Sequence, residues 1–330
     1  MKRKLLLALL TFFLCLDCAM EKGKTLKNEH INKETKEQIR SLTDKLFDAI
    51  LTNDIGIIQA MFATQVLETQ GEEIEKLVAR MHSSFQAQSY RMLDEYHVQN
   101  AATEAIYSVG PGIPGDNDYL IHYLPPHPET FVALLIPNGL DSDFLITAIY
   151  AKHDDQWKLD VLQFGQYGLF NKNAPRYYDT AKEYHDKGYL IDALNNMELN
   201  QLCLRPAGEL WEYQKHQEMM EFYEKLKNEF NTKFPLPLTL DNIESKPQIF
   251  RIHAGILNDG FSPMVLYLTS IPLDNTAALE AENENVKVEV NRIFNGINVG
   301  KKYVFYRAYH ELPDGEKEVD HYGFVDLGTQ

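Results

Sequence analysis

Cysteine is scarce in this sequence, which contains three among its 330 residues. Cys15 and Cys18 stand near the N-terminus, so Cys203 is the one cysteine in the rest of the chain. A single cysteine cannot form an intramolecular disulfide, which excludes a covalent cross-link within the fold. Cys203 lies between two leucines and has Arg205 as its nearest basic neighbour, so we expect a buried, unreactive thiol.

Positive charge is also in short supply. The chain has 32 Lys and Arg against 48 Asp and Glu, a formal net charge of −16. Nucleic-acid binding needs a basic surface that replaces the counterions of the phosphates, so we exclude nucleic acid as a partner. The same charge argues against electrostatic docking on anionic lipid.

In other respects the composition, with 44% hydrophobic residues, is that of a globular protein, and the length predicts two or three domains.

Sequence motifs of metal and catalytic sites are missing as well. Beyond the N-terminal run there is no Cys-x-x-Cys pair, and neither a His-Glu-x-x-His nor a Gly-x-Ser-x-Gly pattern occurs. The glycine-rich stretch 110–115 contains two prolines and precedes Asp116, Asn117 and Asp118. It therefore lacks the amide donors and positive charge of a phosphate loop. We predict no catalytic residue, no metal site and no cofactor.

The N-terminus has the pattern of an export signal. Basic residues at positions 2–4 precede an unbroken apolar run at 5–16. This run has the length of a signal-peptide core and is too short to span a bilayer comfortably. We assign residues 1–18 to the signal peptide and residues 19–34 to a polar tether.

The cysteine that closes this run indicates how the protein is held at its destination. The pattern resembles a bacterial lipoprotein signal, which implies lipidation of Cys18 and attachment to a membrane on the periplasmic side or the cell surface. Leu16 and Asp17 stand where such signals have small residues, so secretion after cleavage nearby is the alternative.

Residues 35–172 read as three helices followed by strands. Apolar residues recur with helical spacing in 36–51, in a shorter piece at 55–66 and in 72–91. Two apolar runs, 144–151 and 157–164, flank a polar link, and the second run alternates with period two, so together they predict a β-hairpin. Further strand-like runs lie at 93–98, 105–109, 119–124 and 130–136. We predict an α+β fold in which the helices accompany a curved antiparallel sheet.

Two phrases in this segment, LFDAILTNDIGIIQAMF and YAKHDDQWKLDVLQFG, allow a comparison with a known fold. Together with the order of elements they resemble the nuclear-transport-factor-like (SnoaL-like) cone fold, in particular its bacterial branch. The resemblance implies a cone with an apolar pocket, which serves ligand binding, catalysis in some members, or only a structural role. Fold alone does not decide among these roles.

Polar residues on the predicted strands are the candidates for lining such a pocket. The candidate ligand-binding residues are Asp94, His97, His122 and Asp160. Strand alternation places Asp94 and Tyr96 on one face and His97 on the other, so these three cannot all enter one pocket. His122 likewise lies on the face opposite Tyr119. We therefore expect a non-catalytic binding or structural role, with a ligand carrier or an acid/base enzyme using these residues as the alternative.

The composition changes near residue 173, where a helical segment begins. Ala181, Gly188 and Pro206 fall close to the tetratricopeptide pattern and predict a single helix pair over 175–206, followed by a helix over 209–230. An array of such repeats needs about three units, so we expect helices that pack on their neighbours.

Residues 235–330 have the order β-β-α-β-β. Strand signals lie at 248–257, 264–271, 302–309 and 319–327, and a helix is predicted over 276–294. We expect a small antiparallel sheet with the helix on one face. Tyr303, Phe305 and Arg307 alternate with apolar residues, so the second face should meet the middle helices or a partner. The expected partners are therefore another protein or a small apolar ligand, in addition to the membrane.

Overall fold

The computed structural model describes residues 23–84, 86–100, 102–112, 117–140, 142–258, 260–313 and 317–328. The predicted signal peptide and Cys18 lie outside these ranges. The described chain is a mixed α+β protein that contains a curled half-barrel sheet, which confirms the predicted fold class.

Three helices open the first segment. They are α1 (Lys33–Leu51), α2 (Ile55–Met61) and α3 (Thr64–Ser84). The side chain of Asn32 accepts hydrogen bonds from the first amides of α1, and Asp54 does the same for α2. The prediction of a third helix over 72–91 is wrong at both ends. Residues 90 and 91 already belong to a strand, because Tyr90 and Met92 share one apolar face with period two.

An antiparallel six-stranded sheet packs against these helices. With strands numbered along the chain, its spatial order is β1 (Lys24–Lys27), β2 (Tyr90–Gln99), β5 (Glu129–Pro137), β6 (Ser142–His153), β7 (Gln156–Leu169) and β8 (Lys172–Asn173). The predicted hairpin is confirmed as β6 and β7, and Asp154 and Asp155 form its turn with positive φ angles.

The prediction of a polar tether over residues 19–34 is wrong for residues 24–27, which form strand β1. Lys24 to Lys27 pair with residues 96–99 of β2 and so form the edge of the sheet. The next residue, Asn28, donates a hydrogen bond to Asp94 and accepts one from the Glu95 amide. Polar composition suggested a tether, but these residues satisfy backbone groups of β2 that would otherwise be unpaired.

A second, three-stranded sheet contains β3 (Tyr107–Val109), β4 (Tyr119–Tyr123) and β9 (Trp211–Tyr213). We expected β3 and β4 to belong to the curved sheet, and this prediction is wrong. Their partner is a strand about 90 positions further along the chain, where Trp211 pairs with Ile121. This sheet crosses the predicted boundary between residues 172 and 173.

The middle segment contains the predicted helix pair. Helices α4 (Ala174–Asp186) and α5 (Leu190–Leu202) are joined by a turn in which Gly188 has a φ of +75°. The next helix, α6 (His216–Lys233), begins later than predicted because residues 211–213 are extended. Cys203 is buried as expected, and burial raises the pKa of its thiol to about 12.

The C-terminal segment forms a five-stranded sheet. Its strands are β10 (Leu238–Thr239), β11 (Gln248–Leu257), β12 (Gly260–Leu268), β13 (Tyr303–Tyr309) and β14 (His321–Leu327), in this spatial order, and α7 (Thr276–Ile293) connects β12 to β13. The prediction of a purely antiparallel sheet is wrong, because β12 and β13 are parallel. A helical crossover returns the chain to the same end of the sheet and so permits this pairing.

Buried side chains occupy both faces of the first sheet. On β5, Phe131 and Leu135 pack with α1, α2 and α3, whereas Val132 and Leu134 join a second cluster. That second cluster continues through the small sheet and α4–α6 to the C-terminal sheet and α7. One core therefore extends across all three predicted segments.

Candidate functional site

Asp94 lies on β2 and is held by several donors. Its carboxylate accepts hydrogen bonds from the Tyr119 hydroxyl and from Asn28 Nδ2, the latter at 2.8 Å, and Lys27 Nζ lies 3.3 Å away. Tyr96 and Tyr119 share a further hydrogen bond of 2.9 Å. Burial, with a smaller effect of Tyr96 and Asp94, raises the pKa of Tyr119, which therefore stays protonated as a donor. The carboxylate thus joins β1, β2 and the small sheet.

His97 lies on the other face of β2, as strand alternation predicted. Its Nε2 is 2.9 Å from Glu129 Oε1, and the second Glu129 oxygen is 3.2 Å from Lys152 Nζ. The ring packs against Phe131 and Trp157 at centroid distances of 6.2 and 6.1 Å. The imidazole is buried and hydrogen-bonded to Glu129, which also pairs with Lys152.

The other two candidates lie elsewhere. His122 on β4 has Nδ1 2.7 Å from Ser108 Oγ and Nε2 3.4 Å from Glu212. Asp160 on β7 has Oδ2 2.9 Å from His153 Nε2, within the β6–β7 hairpin. The four predicted residues therefore belong to four separate groups on two sheets, and the structure does not bring them together.

The space between the helices and the curled sheet is filled by side chains. Phe131 and Tyr150 from the sheet are fully buried against Ile39 and Leu46 from α1. A cleft of about 330 Å³ lies beside α3, but none of the four candidates lines it. These residues therefore do not form an acid–base pair around a substrate-sized space.

One face of the C-terminal sheet carries positively charged, aromatic and exposed aliphatic side chains. On β13, Val304, Tyr306 and Ala308 are buried towards α7, so the intervening residues point away from the core. Residues on this far side of β11–β14 belong to neither buried cluster. We call it the open face, and its main residues are Arg251, His253, Phe305, Arg307, Val325 and Leu327.

Two arginines stand in one row across the open face. Arg251 on β11 and Arg307 on β13 both lie opposite Leu266 of β12. Two strand spacings separate them, a distance of about 10 Å. Neither guanidinium has a carboxylate within 4.0 Å in the described part of the chain. Burial lowers the pKa of His253, and the two arginines lower it further, so the imidazole is neutral near pH 7.

Aromatic and aliphatic side chains flank this row. Phe305 lies between Met264 and Val325 across the strands, and its ring is 5.9 Å from that of Tyr303. Val325 and Leu327 on β14 are 56% and 75% exposed. The sequence predicted the face around Phe305 and Arg307 but missed Arg251, although period two along 248–257 places Arg251 and His253 on one side.

Strand β14 is also an edge of the sheet. It has β13 on one side and no strand on the other among the described residues. Native edge strands are usually protected by lysine, proline or a bulge, but the sequence HYGFVDL contains neither lysine nor proline. Gly323 lies opposite Arg307, and a side chain at Gly323 would meet nothing within 4 Å. At this position no side chain of β14 separates Arg307 from the edge of the sheet.

No protein-family model, curated protein sequence or solved structure matches this chain. Within the described ranges, no helix combines the length and the apolar character needed to cross a membrane.

Proposed function

We propose that this protein is a non-catalytic binding protein whose open face and β14 edge receive an extended, acidic segment of another protein. The observation that carries the proposal is a row of two arginines with no carboxylate within 4.0 Å among the described residues, on a chain of net charge −16. The sequence has 48 acidic and 32 basic side chains, yet the row that contains Arg251, Leu266, Arg307 and Gly323 contains no acidic residue. Glu198 accepts a hydrogen bond from the Ala254 amide and interacts electrostatically with Arg251, so Arg307 is the arginine of this row on which the proposal mainly rests.

The edge of the sheet supports an extended ligand in particular. Unpaired backbone groups along β14 allow a further strand to add to the sheet by β-augmentation. A carboxylate on that strand, at the position beside Gly323, would lie within reach of Arg307, because no side chain at Gly323 intervenes. Apolar side chains two positions away would lie beside Val325, which is exposed.

A peptide titration tests this interaction. We expect a fluorescently labelled octapeptide in which threonine alternates with glutamate and valine in turn (TETVTETV) to bind, and the matching lysine peptide (TKTVTKTV) not to bind. Arg307→Gln should weaken binding roughly tenfold, the usual contribution of a hydrogen bond between charged groups, and added salt should weaken it further. Fluorescence anisotropy measures each of these affinities.

Arg80→Gln is the matched control, because Arg80 is exposed on α3 and its replacement removes the same charge far from the open face. Equal loss in both variants, or equal binding of both peptides, would contradict the proposal. Tighter binding of a single-stranded oligothymidylate would point to nucleic acid instead. A protein that dimerises in sedimentation experiments and excludes the peptide would assign the edge to a second copy.

We also propose that residues 35–172 are a nuclear-transport-factor-like module with a structural role. Three helices that pack on a curled antiparallel sheet support this relationship. The fully buried Phe131 and Tyr150 between helices and sheet support a structural role over that of a ligand carrier.

The proposed location follows from the N-terminal sequence. We propose export and attachment to a membrane through a lipid on Cys18, with secretion as the alternative. Cys18→Ala should abolish both membrane partitioning and labelling by a radioactive fatty acid in a bacterial host that produces the full chain. Cys15→Ala, three residues earlier in the same apolar run, should retain both. Labelling that persists in Cys18→Ala would refute lipidation at this residue.

A further inference from the structure

A cleft beside α7 is separate from the open face. It lies between the start of α7, the loop after β10 and the loop after β12, and has a volume of about 300 Å³. Ile243, Ile271, Ala278 and Ala281 form apolar walls, and Glu282 and Asn285 add polar groups. This volume is at the lower end of the range for small-molecule sites.

The carboxylate of Glu282 in this cleft is only partly satisfied. The residue is 4% exposed. Its Oε1 accepts hydrogen bonds from the hydroxyls of Ser245 and Thr269, the latter at 3.1 Å. Its Oε2 is buried and has no hydrogen-bond partner among the described residues. One oxygen is thus fixed by the protein, and the other has no partner although its residue lines the cleft.

This carboxylate has no cationic partner in the part of the chain that the structure describes. The ion pairs within the described ranges include none that involves Glu282, and the other charged residue at the cleft, Glu244, is also acidic. A buried carboxylate without a cation is strongly unfavourable unless it is paired or solvated. The cleft therefore has the charge and the space for a cationic group.

We propose that this cleft binds a small ligand with a primary ammonium group on a short aliphatic chain. An ammonium can donate one hydrogen bond to Oε2 and another to the side-chain oxygen of Asn285, while the chain contacts Ile243 and Ile271. A guanidinium prefers two carboxylate oxygens at once, but two hydroxyls already occupy Oε1. A quaternary ammonium has no N–H to donate. A calcium ion needs six to eight oxygen ligands, far more than one carboxylate oxygen supplies.

Calorimetric titration with n-butylammonium chloride tests the proposal on the full chain. We expect millimolar or tighter binding, and roughly tenfold to hundredfold weaker binding in Glu282→Gln, which keeps the shape and loses the charge. Tetramethylammonium chloride, a cation without N–H groups, should bind much more weakly than butylammonium. Glu244→Gln removes an equal charge at the exposed rim and should change the affinity less than twofold.

Thermal unfolding separates binding from folding. Glu282→Gln should be at least as stable as the wild type, because it removes an unpaired buried charge. If this variant unfolds, Ala278→Leu provides the second test: it fills the cleft without touching the carboxylate and should abolish butylammonium binding. Wild-type protein that binds no butylammonium, or binds it as well after either substitution, would overturn the proposal.

Discussion

Lys301→Met is expected to lower the free energy of unfolding by about 3–5 kcal/mol at about pH 8, since it leaves a buried carboxylate unpaired. Lys301 Nζ lies 2.9 Å from Asp192 Oδ1, and both side chains are buried, Asp192 completely. The ammonium also lies 5.0 Å above the ring of Tyr184. Within the described ranges, the Asp192 carboxylate has no other polar partner.

This loss should depend on pH in a defined direction. Burial raises the pKa of Asp192 from 3.8 to about 6, although Lys301 opposes the shift. Because the pKa of Asp192 is higher in the folded than in the unfolded state, protonation of Asp192 stabilises the folded protein. This contribution to the free energy of unfolding is fully present below pH 3.8 and is lost as the pH rises through about 6. In the wild type this change amounts to about 3 kcal/mol. Removal of Lys301 raises the pKa further, so the deficit of the variant should shrink below about pH 6, where Asp192 is protonated in both proteins.

Urea unfolding of the wild type and of Lys301→Met at about pH 8 and about pH 5 measures the difference in their free energies of unfolding at each pH. The double variant Asp192→Asn/Lys301→Met is the control and should recover most of the stability at the higher pH, because neither charge remains buried alone. A deficit of equal size at the two pH values would show that Lys301 contributes packing rather than charge.

Trp211→Ala should destabilise the protein by about 3–5 kcal/mol, the usual loss for a buried aromatic side chain. Trp211 is fully buried on β9, and its ring stacks on Tyr119 at a centroid distance of 4.1 Å. Tyr167 and Tyr213 meet it edge-on at 6.0 and 5.5 Å. The substitution opens a cavity where the small sheet meets the large one.

Trp157, the other tryptophan in the sequence, provides the comparison. It lies at the rim of the helix-covered face, where it is half-buried and Nε1 is 3.3 Å from Gln38 Oε1. Trp157→Ala should therefore have a smaller effect, of about 1 kcal/mol. In a Trp157→Phe background, the emission of Trp211 should be blue-shifted in the folded state and move to longer wavelength on unfolding. Equal destabilisation by the two alanine substitutions would contradict the central position of Trp211.

Local patterns predicted the elements that depend on nearby residues. The apolar stripe with Ile39, Leu46 and Ile50 predicted α1, and the alternation through Trp157 and Leu159 predicted the hairpin. These patterns repeat within a few residues, so they are visible without knowledge of the partner. The α+β class followed from their order.

The pairings that position the small sheet depend on distant parts of the chain. Nothing near Trp211 indicates that it pairs with Ile121, because the contact forms between segments about 90 positions apart. The same holds for β1, whose polar sequence resembles a tether until Lys24 is placed opposite Gln99. Period two identifies a strand but not its neighbour.

The two proposed sites differ in how far the sequence indicates them. Alternation in β13 identified Phe305 and Arg307 as one face, but the row became complete only when the register brought Arg251 into line. Glu282 was visible as a polar residue within the apolar stripe of α7, between Leu279 and Val286. Its partners Ser245 and Thr269 lie on other elements, which no helical pattern reveals.

Incorporation of residues 24–27 into the sheet limits how far a lipid on Cys18 could hold the body from a bilayer. Only residues 19–23 separate that cysteine from Lys24, the first paired residue, and these six residue steps span at most about 22 Å. Anchored in this way, the β1 edge would stay within the length of this link from the membrane surface. Insertion of residues between Cys18 and Lys24 would then lengthen the link and let the body move farther from the bilayer without a change in the sheet.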